Sequence, residues 1–151
     1  MIDHFTLTVR DLQRSRAFYE RALAPLGYKV RMSFEQYVGF GDSRKPYFWI
    51  KQGDVASSPM HIAFKAEDRR SVDAFHSAAL AAGAQDDGAP GLRTHYHPDY
   101  YGSFVIDLDG HPIEAVCHAA VAVPAAAKAV RKKASPRAKA KKRAKKTGHR
   151  K

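Results

Sequence analysis

Residues 4–25, HFTLTVRDLQRSRAFYERALAP, are repeated at residues 61–82, HIAFKAEDRRSVDAFHSAALAA. At a constant offset of 57 residues and without a gap, seven pairs are identical: His4/His61, Asp11/Asp68, Ala17/Ala74, Phe18/Phe75, Ala22/Ala79, Leu23/Leu80 and Ala24/Ala81. Ordinary composition supplies only about one or two matches over such a length. One supersecondary unit is therefore built twice, and the fold must be a pair of similar halves.

Within each copy the hydrophobic period changes once. Residues 2–9 alternate, with Phe5, Leu7 and Val9 on one face and His4, Thr6 and Thr8 on the other, the period of a half-buried strand. Asp11 then supplies an N-cap to a helix whose apolar stripe is Leu12, Phe18, Ala22 and Leu26, with Ala17 beside it, ended by Gly27. Three β-rich runs follow at 28–32, 34–41 and 47–51, broken by turn formers at 41–43 and 53–54.

The second copy opens with Ile62 and Phe64 on one face and His61, Ala63 and Lys65 on the other. Asp68 caps a helix through Val72, Phe75, Ala79 and Leu80 to Gly83. Residues 86–91 are rich in Gly and Pro and read as a loop, which leaves the second strand of this copy poorly defined. Strands at 103–108 and 112–118 are joined by Asp109-Gly110, a strong tight-turn signal. The expected class is α+β: two tandem βαβββ modules, at about 1–53 and 58–118, forming a cupped mixed sheet in one domain of residues 1–120.

Charge divides the chain differently. All 15 acidic residues and 13 of the 26 basic ones lie in residues 1–127, whereas the other 13 basic residues fall in 128–151 with no acid among them. The formal net charge of +11 thus describes a tail attached to a slightly acidic body. From residue 121 onward the composition is Ala, Lys, Arg and Pro, too poor in large apolar groups to offset ordering entropy, so 121–151 is expected to be a disordered tail outside the fold. One cysteine, Cys117, excludes an internal disulfide, fits a reducing cytosol and alternates to the apolar face of its strand as a core residue. No apolar run approaches the roughly 18 residues of a membrane span, and the N-terminus reads as a strand with no signal-peptide pattern. The expectation is a cytoplasmic protein with no membrane partner.

Three residues carry candidate chemistry. His4, His61 and Glu114 all alternate to the face opposite the apolar set of their strands. If both modules contribute to one curved sheet, two imidazoles and a carboxylate converge in its concave face. That donor set suits a divalent metal with open coordination positions, as in non-haem Fe(II) oxygenases and in Zn or Ni hydro-lyases.

The strand opening on His4 followed by DLQRSRAFY at 11–19, the repeated HIAF at 61–64 and the closing DLDGHPIE at 107–114 resemble the vicinal oxygen chelate superfamily. That superfamily contains glyoxalase I, bleomycin-resistance proteins, fosfomycin-resistance enzymes and extradiol dioxygenases. The resemblance covers residues 1 to about 118. It implies an open cup with metal ligands at the first and last strand of each module, of which His4, His61 and Glu114 match three, and it implies a homodimer. The fourth place, Glu in glyoxalase I, falls within residues 47–50 and best at Trp49, where an aromatic also suits a planar or apolar ligand bound without metal.

The implied activity is that of an enzyme: a metal-dependent lyase, isomerase or ring-cleaving dioxygenase acting on a small oxygenated molecule, with Fe(II), Zn(II), Mn(II) or Ni(II) at His4, His61 and Glu114. The alternative is a metal-free, small-molecule-binding protein of the bleomycin-resistance kind. The loop HYHPDYYG at 95–102 supplies candidate catalytic residues, His95, His97 and Tyr101, to hold or move a proton. Tyr37, Trp49 and Tyr100 are the candidate substrate-binding residues. Residues 128–151 resemble the tails of linker histones and of some bacterial nucleoid proteins, which implies nonspecific, salt-dependent nucleic-acid association and a place at the nucleoid.

Overall fold

The computed structural model describes residues 2–120; the basic tail on which the disorder and nucleic-acid expectations rest lies outside them. The first module runs β1 (Phe5–Val9), α1 (Leu12–Leu23), a 3-10 turn (Ala24–Leu26), β2 (Lys29–Ser33), β3 (Tyr37–Gly41) and β4 (Pro46–Gln52). The second runs β5 (Ile62–Lys65), α2 (Arg69–Ala81), β6 (Gln85–Leu92), β7 (Tyr101–Ile106) and β8 (Pro112–Cys117). Each module is βαβββ. No described helix is long and apolar enough to cross a membrane.

Both helices start where the repeated aspartates stand. The Asp11 carboxylate accepts from the Arg14 backbone N–H at 3.0 Å and the Asp68 carboxylate from that of Ser71 at 2.8 Å, each satisfying a donor that the first turn leaves free. The chain leaves both helical segments through glycine at positive φ, +83° at Gly27 and +103° at Gly83, a region that costs other residues Cβ strain.

Each module forms its own mixed sheet, in the order β1-β4-β3-β2 and β5-β8-β7-β6, with a parallel first pair and antiparallel pairs after it. No strand pair among the described residues joins one sheet to the other, so each module builds its own sheet. Residues 86–91, read from sequence as a loop, lie instead within the edge strand β6. Two register irregularities, between Asp86 and Gly88 and between Gly88 and Gly91, absorb the Gly and Pro residues, and an edge tolerates Pro90 because one side of it needs no ladder donor.

The modules share one core. Leu12, Phe18, Tyr19, Ala22 and Leu23 of α1 and Val72, Phe75 and Ala79 of α2 are buried, together with alternate residues of the central strands. Phe48 sits at the junction, fully buried, with ring centroids 4.8 Å from Tyr19 and 5.3 Å from Phe64 of the other module. Removing such a ring costs about 3–5 kcal/mol. Cys117 is fully buried, as its alternation requires.

The DLDGH turn between β7 and β8 ties the halves together by polar bonds. The Tyr19 hydroxyl donates to Asp107 at 2.5 Å, and the Asp109 carboxylate accepts from the Arg10 backbone N–H and from the Ser15 hydroxyl, both at 3.3 Å. The other Asp107 oxygen accepts from the His111 backbone N–H at 2.8 Å. His111 Nδ1 in turn accepts the Met60 N–H at 3.0 Å, which fixes the chain immediately before His61.

Candidate functional site

In the second module, His61 lies one residue before β5 and Glu114 lies on β8 in register with Ala63. Ile62 and Phe64 turn into the core, so His61 takes the opposite face, where its Nε2 meets Glu114 Oε2 at 3.0 Å. The imidazole is about half exposed, at 53 %, while the Glu114 side chain is only 4 % exposed. The carboxylate is not on an open polar face, as alternation alone suggests. It is covered by Tyr100, whose hydroxyl donates to Oε1 in a short hydrogen bond.

Room for this pair comes from Gly102. A Cβ there would stand 3.1 Å from Glu114 Oε1 and 3.2 Å from Tyr100 Cε1. The Tyr100 ring is held edge-on between Tyr96, at 5.1 Å, and His118, at 5.0 Å. Burial first, and then the bond to Glu114, push its hydroxyl up to about 12, so it keeps its proton at neutral pH. His118, to which the sequence pattern assigns no role, continues the period of two through Glu114 and Val116 on the same face.

The first module repeats this frame with different chemistry. Trp49 pairs in register with Thr6 as Glu114 pairs with Ala63, and Thr6 and Ala63 are 57 residues apart. Trp49 therefore occupies the place in module one that Glu114 holds in module two. Its ring lies against Gly39, where a Cβ would come within 2.9 Å of three ring carbons, and Phe34 stacks on it at 6.1 Å and 10°. His4, Thr6, Phe34, Tyr37 and Trp49 line an open recess of about 520 Å³. His4 Nδ1 bonds Asp3 at 2.8 Å, and the other Asp3 oxygen takes the Lys45 ammonium; the His4 bond first, then Lys45, holds the Asp3 carboxyl below its usual range.

Among the sequence-selected residues, the structure unites His61, Glu114 and Tyr100, and separately His4, Tyr37 and Trp49. His4 does not join His61 and Glu114 within one chain: among the described residues no three His, Cys, Asp or Glu side chains form a metal-holding group. Tyr101, expected in the site, points the other way. Its hydroxyl donates to Asp73 of α2 at 2.8 Å and its ring lies under Arg69, because it is one residue out of phase with Gly102 and Phe104. His95 packs on Tyr96 at 4.1 Å and His97 Nδ1 accepts the Asp99 N–H at 3.2 Å; both are exposed and have no polar contact with Glu114.

A family model described as the Glyoxalase/Bleomycin resistance protein/Dioxygenase superfamily matches residues 1–115. The chain belongs to this superfamily. A glyoxalase/bleomycin resistance protein from Albidiferax ferrireducens T118 is 27% identical and superposes with a TM-score of 0.66, over 76% of this chain and 96% of that one. Two further structures share the fold. A putative glyoxalase from Bacillus halodurans is 23% identical with a TM-score of 0.59, over 78% and 95% of the two chains. The genomically encoded fosfomycin resistance protein FosX from Listeria monocytogenes is 21% identical with a TM-score of 0.61, over 80% and 94%. Comparison with curated proteins finds no match.

Proposed function

We propose that this chain is a small-molecule enzyme of the lyase, isomerase or ring-cleaving dioxygenase kind, working as a homodimer with a divalent metal at His4, His61 and Glu114. The observation that carries the reading is the 3.0 Å approach of His61 Nε2 to a nearly buried Glu114 carboxylate at the ligand position of the fold. The described residues of a single chain bring two donors of such a site together, one fewer than the smallest protein donor set expected. The third, His4, stands beside β1, which like β5 is an open edge of its sheet. Open edges call for cover, and a two-fold pairing of β1 with β5 of a second copy would add His4 and Trp49 to each His61–Glu114 pair.

Such an ion supplies Lewis acidity toward neighbouring oxygens of a substrate. The rest falls to the side chains. Glu114 holds His61, Tyr100 keeps a proton available at Glu114 Oε1, and Trp49 with Tyr37 and Phe34 gives a planar wall. The proton-handling role expected of His95, His97 and Tyr101 passes to Tyr100 in this reading, with His95 and His97 on the loop that carries it.

Metal analysis of the purified protein after anaerobic loading with Fe(II), Zn(II), Mn(II) or Ni(II) tests the reading. About one ion per chain, lost in both His61→Ala and His4→Ala, is the expected result. No ion in the wild type would instead favour a metal-free binding protein. That second reading is supported by Trp49 at the fourth ligand position and by Glu114 having both oxygens engaged.

The 13 basic residues of 128–151 carry a separate proposal, nonspecific contact with nucleic-acid phosphates. Deleting residues 121–151 should abolish duplex DNA binding and its salt dependence; unchanged affinity and slope would refute it.

A further inference from the structure

Arg93 stands on the Glu114 face of the second sheet without a carboxylate partner among the described residues. Phe104 pairs with Glu114 in register, and its ring centroid is 6.4 Å from that of His61. On Phe104 lies the Arg93 guanidinium, 5.5 Å from the ring centroid. Gly91 leaves room for it, since a Cβ there would reach within 2.8 Å of one terminal nitrogen, whereas a Cβ on Gly88 would stand at ordinary contact distance, 3.6 Å, from the other. Among the described residues the guanidinium bonds only backbone carbonyls, Ala89 O at 2.8 Å and Leu92 O at 3.4 Å.

The arginines that form ion pairs among the described residues are Arg10, Arg16, Arg44 and Arg69. The unpaired Arg14, Arg21, Arg31 and Arg70 are exposed, whereas Arg93 is half-buried. A partly desolvated guanidinium fixed on an aromatic ring, with donors to spare and no counter-charge, is suited to an anion.

We propose that Arg93 sets substrate class: it binds a carboxylate, phosphonate or similar anionic group of a molecule whose body lies over Phe104. The oxygenated end of that molecule reaches His61 and Glu114. β6 and β8 are two strand spacings apart, about 10 Å, which leaves roughly the width of one ring between the two ends. This inference rests on the His61–Glu114 site being where substrate binds.

The test measures binding of benzoate, phenylphosphonate and neutral benzamide to the full-length protein by ligand-observed NMR, in wild type, Arg93→Lys, Arg93→Gln and His61→Ala. The two anions should bind in the millimolar range and benzamide about tenfold more weakly. Arg93→Gln should erase that preference with circular dichroism and metal content unchanged, and Arg93→Lys should retain part of it. Equal binding of benzoate and benzamide overturns the proposal, as does a preference that survives in Arg93→Gln or an absence of anion binding at about 10 mM. Absence of metal in the wild type, with the Arg93-dependent preference intact, would overturn the metal reading alone.

Discussion

Replacing Tyr19 with Phe removes one hydroxyl from the point where the two modules are bonded together. Tyr19 is fully buried and donates to Asp107 Oδ2 at 2.5 Å, while Asp107 is itself 7 % exposed. The other Asp107 oxygen already accepts from the backbone N–H groups of Asp109, at 2.9 Å, and His111, at 2.8 Å. The ring remains in Tyr19→Phe, so no cavity of consequence forms, and the loss is that of a hydrogen bond to a buried carboxylate. Such bonds contribute about 1.5–3 kcal/mol, and an oxygen left without a donor puts the value at the upper end, about 2–3 kcal/mol. For a folded body of this size that corresponds to a fall in Tm of about 8–12 °C. Urea unfolding followed by far-UV circular dichroism measures it. A double-mutant cycle with Asp107→Asn should return a coupling above about 1 kcal/mol. A loss below about 0.5 kcal/mol, or additive single variants, would refute the claim that this bond joins the modules.

Gly39→Ala should disturb the recess in the first module, because the added Cβ meets the Trp49 ring at 2.9 Å. Trp49 is the single tryptophan of the chain, so its displacement should shift the fluorescence emission maximum; an unchanged spectrum would show that the ring does not rest on Gly39. Asp42 has its carboxyl drawn from 3.8 down to about 2, first by the Arg44 side-chain bond and then by the Arg44 backbone N–H. A depressed carboxylate contributes stability that is present above its ordinary value and lost as pH falls through the folded one. Wild type should therefore lose stability more steeply than Asp42→Asn between pH 3.8 and about 2, as read by urea midpoints across that window. Parallel acid limbs would contradict the Asp42–Arg44 pairing.

Much of this architecture is written in local pattern. The 57-residue offset carries both N-cap aspartates, the paired core phenylalanines Phe18 and Phe75, and the two histidines ahead of the first strands, and each feature recurs in space as it does in sequence. Patterns fail where long-range geometry decides. β6 hides behind Gly88, Pro90 and Gly91 because its irregularities are stabilised by pairing with β7, a partner nine or more residues away. Tyr100 and Tyr101 are adjacent and chemically alike. Which of them meets Glu114 depends on the residue at which β7 begins, since one step along a strand exchanges faces.

The same one-position logic explains how a duplicated scaffold yields unlike halves. In both modules the first strand pairs in parallel with the last, and the residue of that last strand opposite Thr6 or Ala63 takes the histidine side. In the second module this residue is Glu114, and Gly102, Tyr100 and His118 are arranged to hold its carboxylate. In the first it is Trp49, and Gly39 and Phe34 are arranged to hold a large ring. The glycines Gly39 and Gly102 serve the same end in each half, clearing space beside that residue, although the groups they accommodate share no chemistry. The residue at this one register position is thus matched by its neighbours in each half, an ionic pair in one and an aromatic recess in the other.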